Sequence, residues 1–144
     1  MPLTFGEVLH DPGQCIPYAY FPWSGLVSVL ASENRGRQAE VAVVGSEGVV
    51  SLPLLLGNEV APHQALVQGA GRALWMSADH FRSKARSSEA LTTLLLRYTN
   101  AFIVQVSQSA LCDHLRPVAK RLCRGHLFWN LLLVQRRREG QVST

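Results

Sequence analysis

Gly45-Ser46-Glu47-Gly48-Val49-Val50-Ser51-Leu52-Pro53, followed fifteen residues after Glu47 by Pro62-His63-Gln64-Ala65, is the stretch on which the reading of this chain turns. A glycine-acid-glycine turn running into a short apolar helix gathers backbone N–H groups and one carboxylate into a small cavity. N–H groups at a helix start suit a phosphate, and a carboxylate suits a sugar hydroxyl. A site that grips a phosphate diester would add an arginine, whose fork of donors matches two phosphate oxygens. His63 and Gln64 stand in that place.

On the N-terminal side of this stretch the pattern is β. Tyr18-Ala19-Tyr20-Phe21 reads as a strand ending at Pro22. From Leu26 to Ser32, Leu26, Ser28 and Leu30 alternate with Val27, Val29 and Ala31. The polar Glu33-Asn34-Arg35-Gly36-Arg37 turn follows, and then Glu40, Ala42 and Val44 alternate with Val41 and Val43, so the two runs should pair as a hairpin. On the C-terminal side, Ala65 to Gln68, a Gly69-Ala70-Gly71 turn and Arg72 to Met76 read as a second hairpin. Short strands at spacings near ten residues, punctuated by Gly and Pro, favour a small barrel or sandwich over a parallel α/β sheet.

The period changes after Met76. Ser77-Ala78-Asp79 opens a helix reaching about Ala85, with a hydroxyl N-cap and acid in the first turn. Ser87-Ser88-Glu89 caps a longer one, which runs to about Cys112 without Gly or Pro. Leu91, Leu94, Leu95, Tyr98, Ala101, Phe102 and Val106 make one apolar stripe on it, and Leu96, Ile103 and Val104 lie outside that stripe. A helix apolar on more than one face asks for a partner, most simply the same helix of a second copy. A third helix should open at Pro117 and carry Val118, Leu122 and Leu127 toward Leu131 to Leu133.

A 144-residue chain that is 47% apolar and 17% charged can bury one core. The net charge is +4, and Arg116, Lys120, Arg121, Arg124, Arg136, Arg137 and Arg138 hold half of the 14 basic residues. The Arg136 to Arg138 run reads as a solvated tail or as a phosphate contact. Cys15, Cys112 and Cys123 form no paired framework and no C-x-x-C motif, so they read as reduced thiols of a cytoplasmic protein. No secretory leader or membrane-spanning run is evident. His10, His63, His80, His114 and His126 are scattered, without the H-x-H pair that seeds a metal site in small β-barrels, and no catalytic triad or carboxylate pair stands out. No metal, no catalytic residue and no enzymatic activity are expected.

An ordered series of motifs resembles the sensor domain of the Crp/Fnr (catabolite activator / fumarate-nitrate regulator) family of bacterial transcription regulators. It comprises Phe5-Gly6-Glu7-Val8-Leu9 with Asp11-Pro12-Gly13-Gln14, Tyr20-Phe21-Pro22 with Ser24-Gly25 and Val27-Ser28, and Val41 to Val50. Leu52-Pro53-Leu54-Leu55-Leu56-Gly57, Leu95-Leu96-Arg97-Tyr98, Gln105-Val106 with Gln108-Ser109-Ala110, and Arg116-Pro117-Val118 with Arg121-Leu122 complete it. The resemblance spans roughly residues 3 to 124. It implies a mainly β fold with C-terminal helices: a cyclic nucleotide-binding-like jelly-roll barrel (1–86), a long dimerisation helix (87–113) and a C-terminal helical segment with a basic tail (114–144).

For function, the resemblance implies a ligand site at Gly45, Glu47, Gly48, Val49, His63, Gln64 and Ala65, with Glu47 on a ribose hydroxyl. It implies a homodimer through Leu91, Leu94, Leu95, Tyr98, Phe102 and Val106, or a heterodimer with a full-length relative. The arginine that holds the cyclic phosphate in nucleotide-binding members is replaced by His63 and Gln64. Losing such a charge-assisted contact costs on the order of 1.5 to 3 kcal/mol, so tight cyclic AMP binding is not expected. Family members carry an N-terminal helical segment before the barrel and continue after it into a winged helix-turn-helix, for which the residues after Arg124 leave no room; sequence-specific DNA binding is therefore not expected. The expectation is a Crp/Fnr-like sensor and dimerisation module. The alternative is a working receptor for a cyclic nucleotide or other small effector. Glu47 itself reads either as an anchor for a polar ligand or as a carboxylate that caps the short helix after it.

Overall fold

The computed structural model describes residues 1–34 and 36–114. The helix expected at Pro117, Cys123, His126 and the Arg136 to Arg138 run lie outside the described residues. Five strands, β1 (Pro2–Leu3), β2 (Val8–His10), β3 (Tyr18–Ser32), β4 (Gln38–Val44) and β5 (Gln64–Ser77), form one antiparallel sheet in the order β1-β5-β3-β4, with β2 also on β5. The helices are α1 (Leu52–Leu55), α2 (Ala78–Ser87) and α3 (Glu89–His114).

The expected hairpin of β3 with β4 is present, running from Val27 opposite Val44 to Ser32 opposite Gln38 with a register shift between Val29 and Leu30. Glycine supplies the left-handed residue that closes the turn, with Gly36 at φ 78 and the Glu33 N–H donating to the Arg37 carbonyl at 2.8 Å. Two boundaries differ from the sequence reading. Tyr18 to Phe21 and Leu26 to Ser32 are one 15-residue strand, and the Gly69-Ala70-Gly71 segment is no turn but the middle of the 14-residue β5. These two long strands run against each other from Tyr18 opposite Ser77 to Leu30 opposite Gln64.

The glycines have a different use from the one expected. Pairing shifts register between Pro22 and Ser24, Ser24 and Leu26, and Leu26 and Val27, where Pro22 brings no N–H to the ladder. At that irregularity a Cβ on Gly71 would overlap the Ser24 carbonyl, and one on Gly69 would come within 3.2 Å of the Leu26 nitrogen. Gly25 adopts φ 87 across from them. Three glycines thus let two backbones close on each other where the ribbon changes register.

The sheet does not close into the expected barrel, because β1 and β4 remain edges. The helix covers one of them: the Val43 N–H of β4 donates to the Gln105 Oε1 of α3 at 2.9 Å. An edge strand's unpaired amide is satisfied by a side chain instead of by another strand. Burial forms two clusters. One joins Leu54, Phe81, Ala85 and Leu95 across the helices, the other Val27, Val44, Val50 and Val67 within the sheet, and Phe102 of α3 packs against both.

The helix starts follow the sequence. The Ser77 hydroxyl accepts from the His80 N–H at 3.3 Å and the Ser88 hydroxyl from the Leu91 N–H at 3.2 Å, with Asp79 and Glu89 in the first turns. With 26 residues α3 is about 39 Å long at 1.5 Å per residue.

Candidate effector site

The Gly45 to Val50 segment folds back on itself. The Gly45 N–H donates to Glu47 Oε1 at 3.0 Å, and the Gly48 N–H donates to the Gly45 carbonyl at 3.1 Å. A Cβ on Gly48 would overlap the Tyr98 ring of α3, whereas one on Gly45 would stand 2.7 Å from Glu47 Oε2, the end of a side chain that would have to shift. Glu47 Oε2 is buried and has no hydrogen-bond partner among the described residues. Burial first, and the nearby Glu47 charge second, push the Tyr98 phenol well above its usual range, against a hydrogen bond from the Val49 backbone. Tyr98 therefore stays protonated, a neutral group over a carboxylate-bearing turn.

The turn does not run straight into the helix, contrary to the sequence reading. Val50 intervenes as a bridge to β3, its N–H donating to the Tyr20 carbonyl at 2.9 Å while the Tyr20 N–H returns a longer bond. Ser51 then takes φ 85, a left-handed backbone rare for a residue with a Cβ, and its hydroxyl donates to the Tyr18 carbonyl at 2.9 Å. The four-residue α1 begins after it with no side-chain cap. Glu47 therefore caps its own loop and not α1.

His63, Gln64 and Ala65 are divided among separate tasks. The His63 carbonyl accepts from His10 Nδ1 at 3.2 Å. Gln64 donates to Asp11 Oδ1 at 2.6 Å and accepts from Gln38 at 3.2 Å, which commits its amide to its own edge of the sheet. Ala65 is fully buried opposite Val29 and beside His10.

A cavity of about 350 Å³ opens between the sheet, α1 and α3. Val29, Val44, Val49, Val50 and Leu52 line it from the sheet, the Glu47 turn and α1, and Thr99, Phe102, Ile103, Val106 and Ser107 from α3; His10, Ser51, Pro53, Leu56, Pro62 and His63 lie between them. Of the ligand residues expected from sequence, Val49 and His63 meet in this cavity, whereas Gly45, Glu47, Gly48, Gln64 and Ala65 are not part of its lining. Among the described residues no Lys or Arg lines it. His10 is 8% exposed and burial holds its imidazole below the ordinary range, with the His63 carbonyl and the Asp11 charge opposing and the His63 ring adding to the drop. Its Nδ1 donates to the His63 carbonyl, so the neutral ring keeps its lone pair on Nε2, which has no partner.

The stripe expected at a dimer interface is mostly turned inward. Leu95 is 5% exposed, Leu91, Tyr98 and Phe102 pack against the protein's own core, and Val106 lines the cavity. Leu94 is exposed, as are Leu96, Ile103, Val104 and Leu111. Sequence reasoning placed Tyr98 on the pairing stripe and not beside the Glu47 turn, and it missed His10; a tyrosine within an aliphatic stripe, whose polar tip needs a partner when buried, was the available signal for the first. Among the described residues no group of three or more His, Cys, Asp or Glu could hold a metal, and no helix is long and apolar enough to cross a membrane. Of the cysteines, Cys15 is exposed and Cys112 buried, both as thiols.

No protein-family model and no curated protein matches the sequence. Solved structures do match in fold. The c-di-GMP responsive global regulator CLP of Xanthomonas campestris superposes with a TM-score of 0.68 at 15% identity, covering 81% of this chain and 59% of that one. FixK2 of Bradyrhizobium japonicum gives 0.67 at 13%, covering 78% and 55%. A transcriptional regulator of Thermotoga maritima gives 0.61 at 12%, covering 79% and 89%. The chain thus spans less than two thirds of the length of the first two regulators. The structural neighbours are Crp/Fnr-type transcription regulators and cyclic nucleotide-binding-like domains, and an antiparallel jelly-roll sheet followed by a long helix is the fold this chain shares with them.

Proposed function

We propose that this chain is the sensing and pairing module of a Crp/Fnr-like transcription regulator, and that it does not hold cyclic AMP tightly. The observation that carries the second part is the absence of any Lys or Arg from the cavity lining among the described residues, together with the commitment of Gln64 to Asp11. A cyclic phosphate placed there would exchange its hydration for valine side chains and the His10 ring, whose charged form burial disfavours, a desolvation that no Lys or Arg among the described lining residues offsets. The pairing part is supported by α3, where Leu96 and Ile103, and Val104 and Leu111, recur at seven-residue spacing on a face left exposed. The partner is a second copy. The described residues contain no winged helix-turn-helix, and the proposal assigns them sensing and pairing alone.

A cyclic nucleotide receptor is the second reading, and one observation favours it: Glu47 Oε2 is buried without a hydrogen-bond donor, as a carboxylate awaiting a ribose hydroxyl would be. Calorimetry with cyclic AMP, cyclic GMP and c-di-GMP separates the two. The proposal expects no saturable heat at micromolar ligand. A micromolar affinity that Glu47→Ala abolishes would establish the receptor instead. Sedimentation equilibrium tests the pairing, and a monomer at every accessible concentration would refute it.

A further inference from the structure

The cavity between the sheet and α3 has chemistry of its own, distinct from the polar turn at Glu47. Its volume of about 350 Å³ lies within the range of small-molecule sites, roughly 300 to 1,000 Å³. The walls are mainly branched aliphatic side chains and the Phe102 ring, with the His10 and His63 rings between them and no Asp, Glu, Lys or Arg among the described lining residues. An apolar space of this kind gains little from water and is stabilised by a hydrocarbon occupant. The hydroxyls of Thr99 and Ser107 in the lining are already spent on the α3 carbonyls of Leu95 and Ile103. The Ser51 hydroxyl is spent on Tyr18.

Among the buried side-chain polar atoms of the described lining, one has no hydrogen-bond partner. His10 holds its Nδ1–H on the His63 carbonyl, and its Nε2, with a lone pair, is buried without a partner. An unpartnered buried acceptor costs free energy that a single donor would recover.

We infer that this cavity is a binding site for a neutral, mainly hydrocarbon small molecule bearing a single hydrogen-bond donor, such as an aliphatic alcohol, a phenol or an arylamine, with the donor on His10 Nε2. The inference rests on the reading of the junction between sheet and α3 as the sensing site. Occupancy would be felt directly by α3, because Phe102, Ile103 and Val106 are both cavity wall and helix. The ligand would thereby be coupled to the helix proposed to pair, since Ile103 belongs both to the cavity wall and to the exposed face.

The test is a fluorescence titration of the full chain with N-phenylnaphthylamine, an uncharged aromatic amine with one N–H. Saturable binding of one probe per chain is expected, displaced by a medium-chain primary alcohol more effectively than by the alkane of equal length. Val106→Trp, which fills the cavity from α3, should weaken binding by about tenfold or more, a loss of roughly 1.4 kcal/mol. Should that variant fail to fold by circular dichroism, Leu56→Trp, at an exposed lining position on the other wall, is expected to weaken binding in the same direction. Trp23→Ala, which removes an exposed apolar side chain outside the lining, should leave binding unchanged. Several probes per chain, or indifference to the filling variants, would overturn the inference, since the exposed apolar surface would then be the binder. Affinity that falls as the chain dimerises would overturn it as well, by assigning the cavity to a second copy. A folded, dimeric chain that ignores the probe defeats this inference alone, whereas displacement of the probe by micromolar cyclic AMP defeats the proposed function.

Discussion

Gly48 and Tyr98 show how two residues fifty positions apart constrain each other. The missing Cβ of Gly48 is the space that the Tyr98 phenol fills, and the phenol in turn lies near the Glu47 charge and over the Val49 backbone. Gly48→Ala should therefore act as overpacking and destabilise the fold by about 1–3 kcal/mol, read as a lower urea midpoint. Tyr98→Phe in that background removes the atom nearest the new methyl and should return part of the loss, so the double-mutant cycle will not be additive. Equal losses in both backgrounds would show that the clash lies elsewhere. That Gly48 belongs to a turn was legible in the sequence; its collision partner was not, because a helical stripe carries no information about which loop lies beneath it.

At the level of elements, α3 carries two apolar faces with different fates. Leu95 is buried against Phe81 and Ala85 of α2, while Leu96, one position on, is exposed. Leu95→Ala should cost about 2–5 kcal/mol in unfolding free energy whatever the state of assembly. Leu96→Glu combined with Val104→Glu should leave the unfolding free energy of the monomer within about 0.5 kcal/mol and abolish the dimer in sedimentation velocity. A reversal, with assembly lost in Leu95→Ala and kept in the glutamate pair, would return the interface to the inner stripe. Periodicity revealed both faces, yet the larger and more regular stripe was assigned to the partner. Much of it packs instead on this chain's own α2, sheet and cavity, since burial within one chain costs no association entropy.

The molecule as a whole should respond to acid through His10, which couples β2 to the start of β5. Its folded-state pKa is depressed by burial, whereas in the unfolded chain it returns to the ordinary value of 6.5. The unfolded state then binds the proton more readily, so the stability that neutral His10 contributes is complete above that value. It is lost as pH falls toward and through the folded-state pKa. Asp11 and the His63 carbonyl oppose the drop, and the His63 ring reinforces it. Urea midpoints should fall between about pH 7.5 and about pH 5, and His10→Phe should reduce that fall because its side chain takes no proton. An identical acid slope in the variant would assign the loss to other groups.

From the amino-acid sequence alone, the division into a β half and a helical half, the β3 to β4 hairpin, the serine N-caps and the tight turn around Glu47 were all available. Each depends on residues within a few positions of one another, through alternation, a hydroxyl near a free N–H, or a glycine where a Cβ would strain the chain. Tertiary structure alone decided that Gly69 and Gly71 close a gap between two long strands, because the atoms they avoid belong to Ser24 and Leu26. It decided that Gln105 satisfies the open edge of β4, and that the expected ligand residues separate into a polar turn and an apolar cavity. Those outcomes depend on which surfaces meet across long loops, and the pattern of a single segment specifies that a face is apolar without specifying what it will cover.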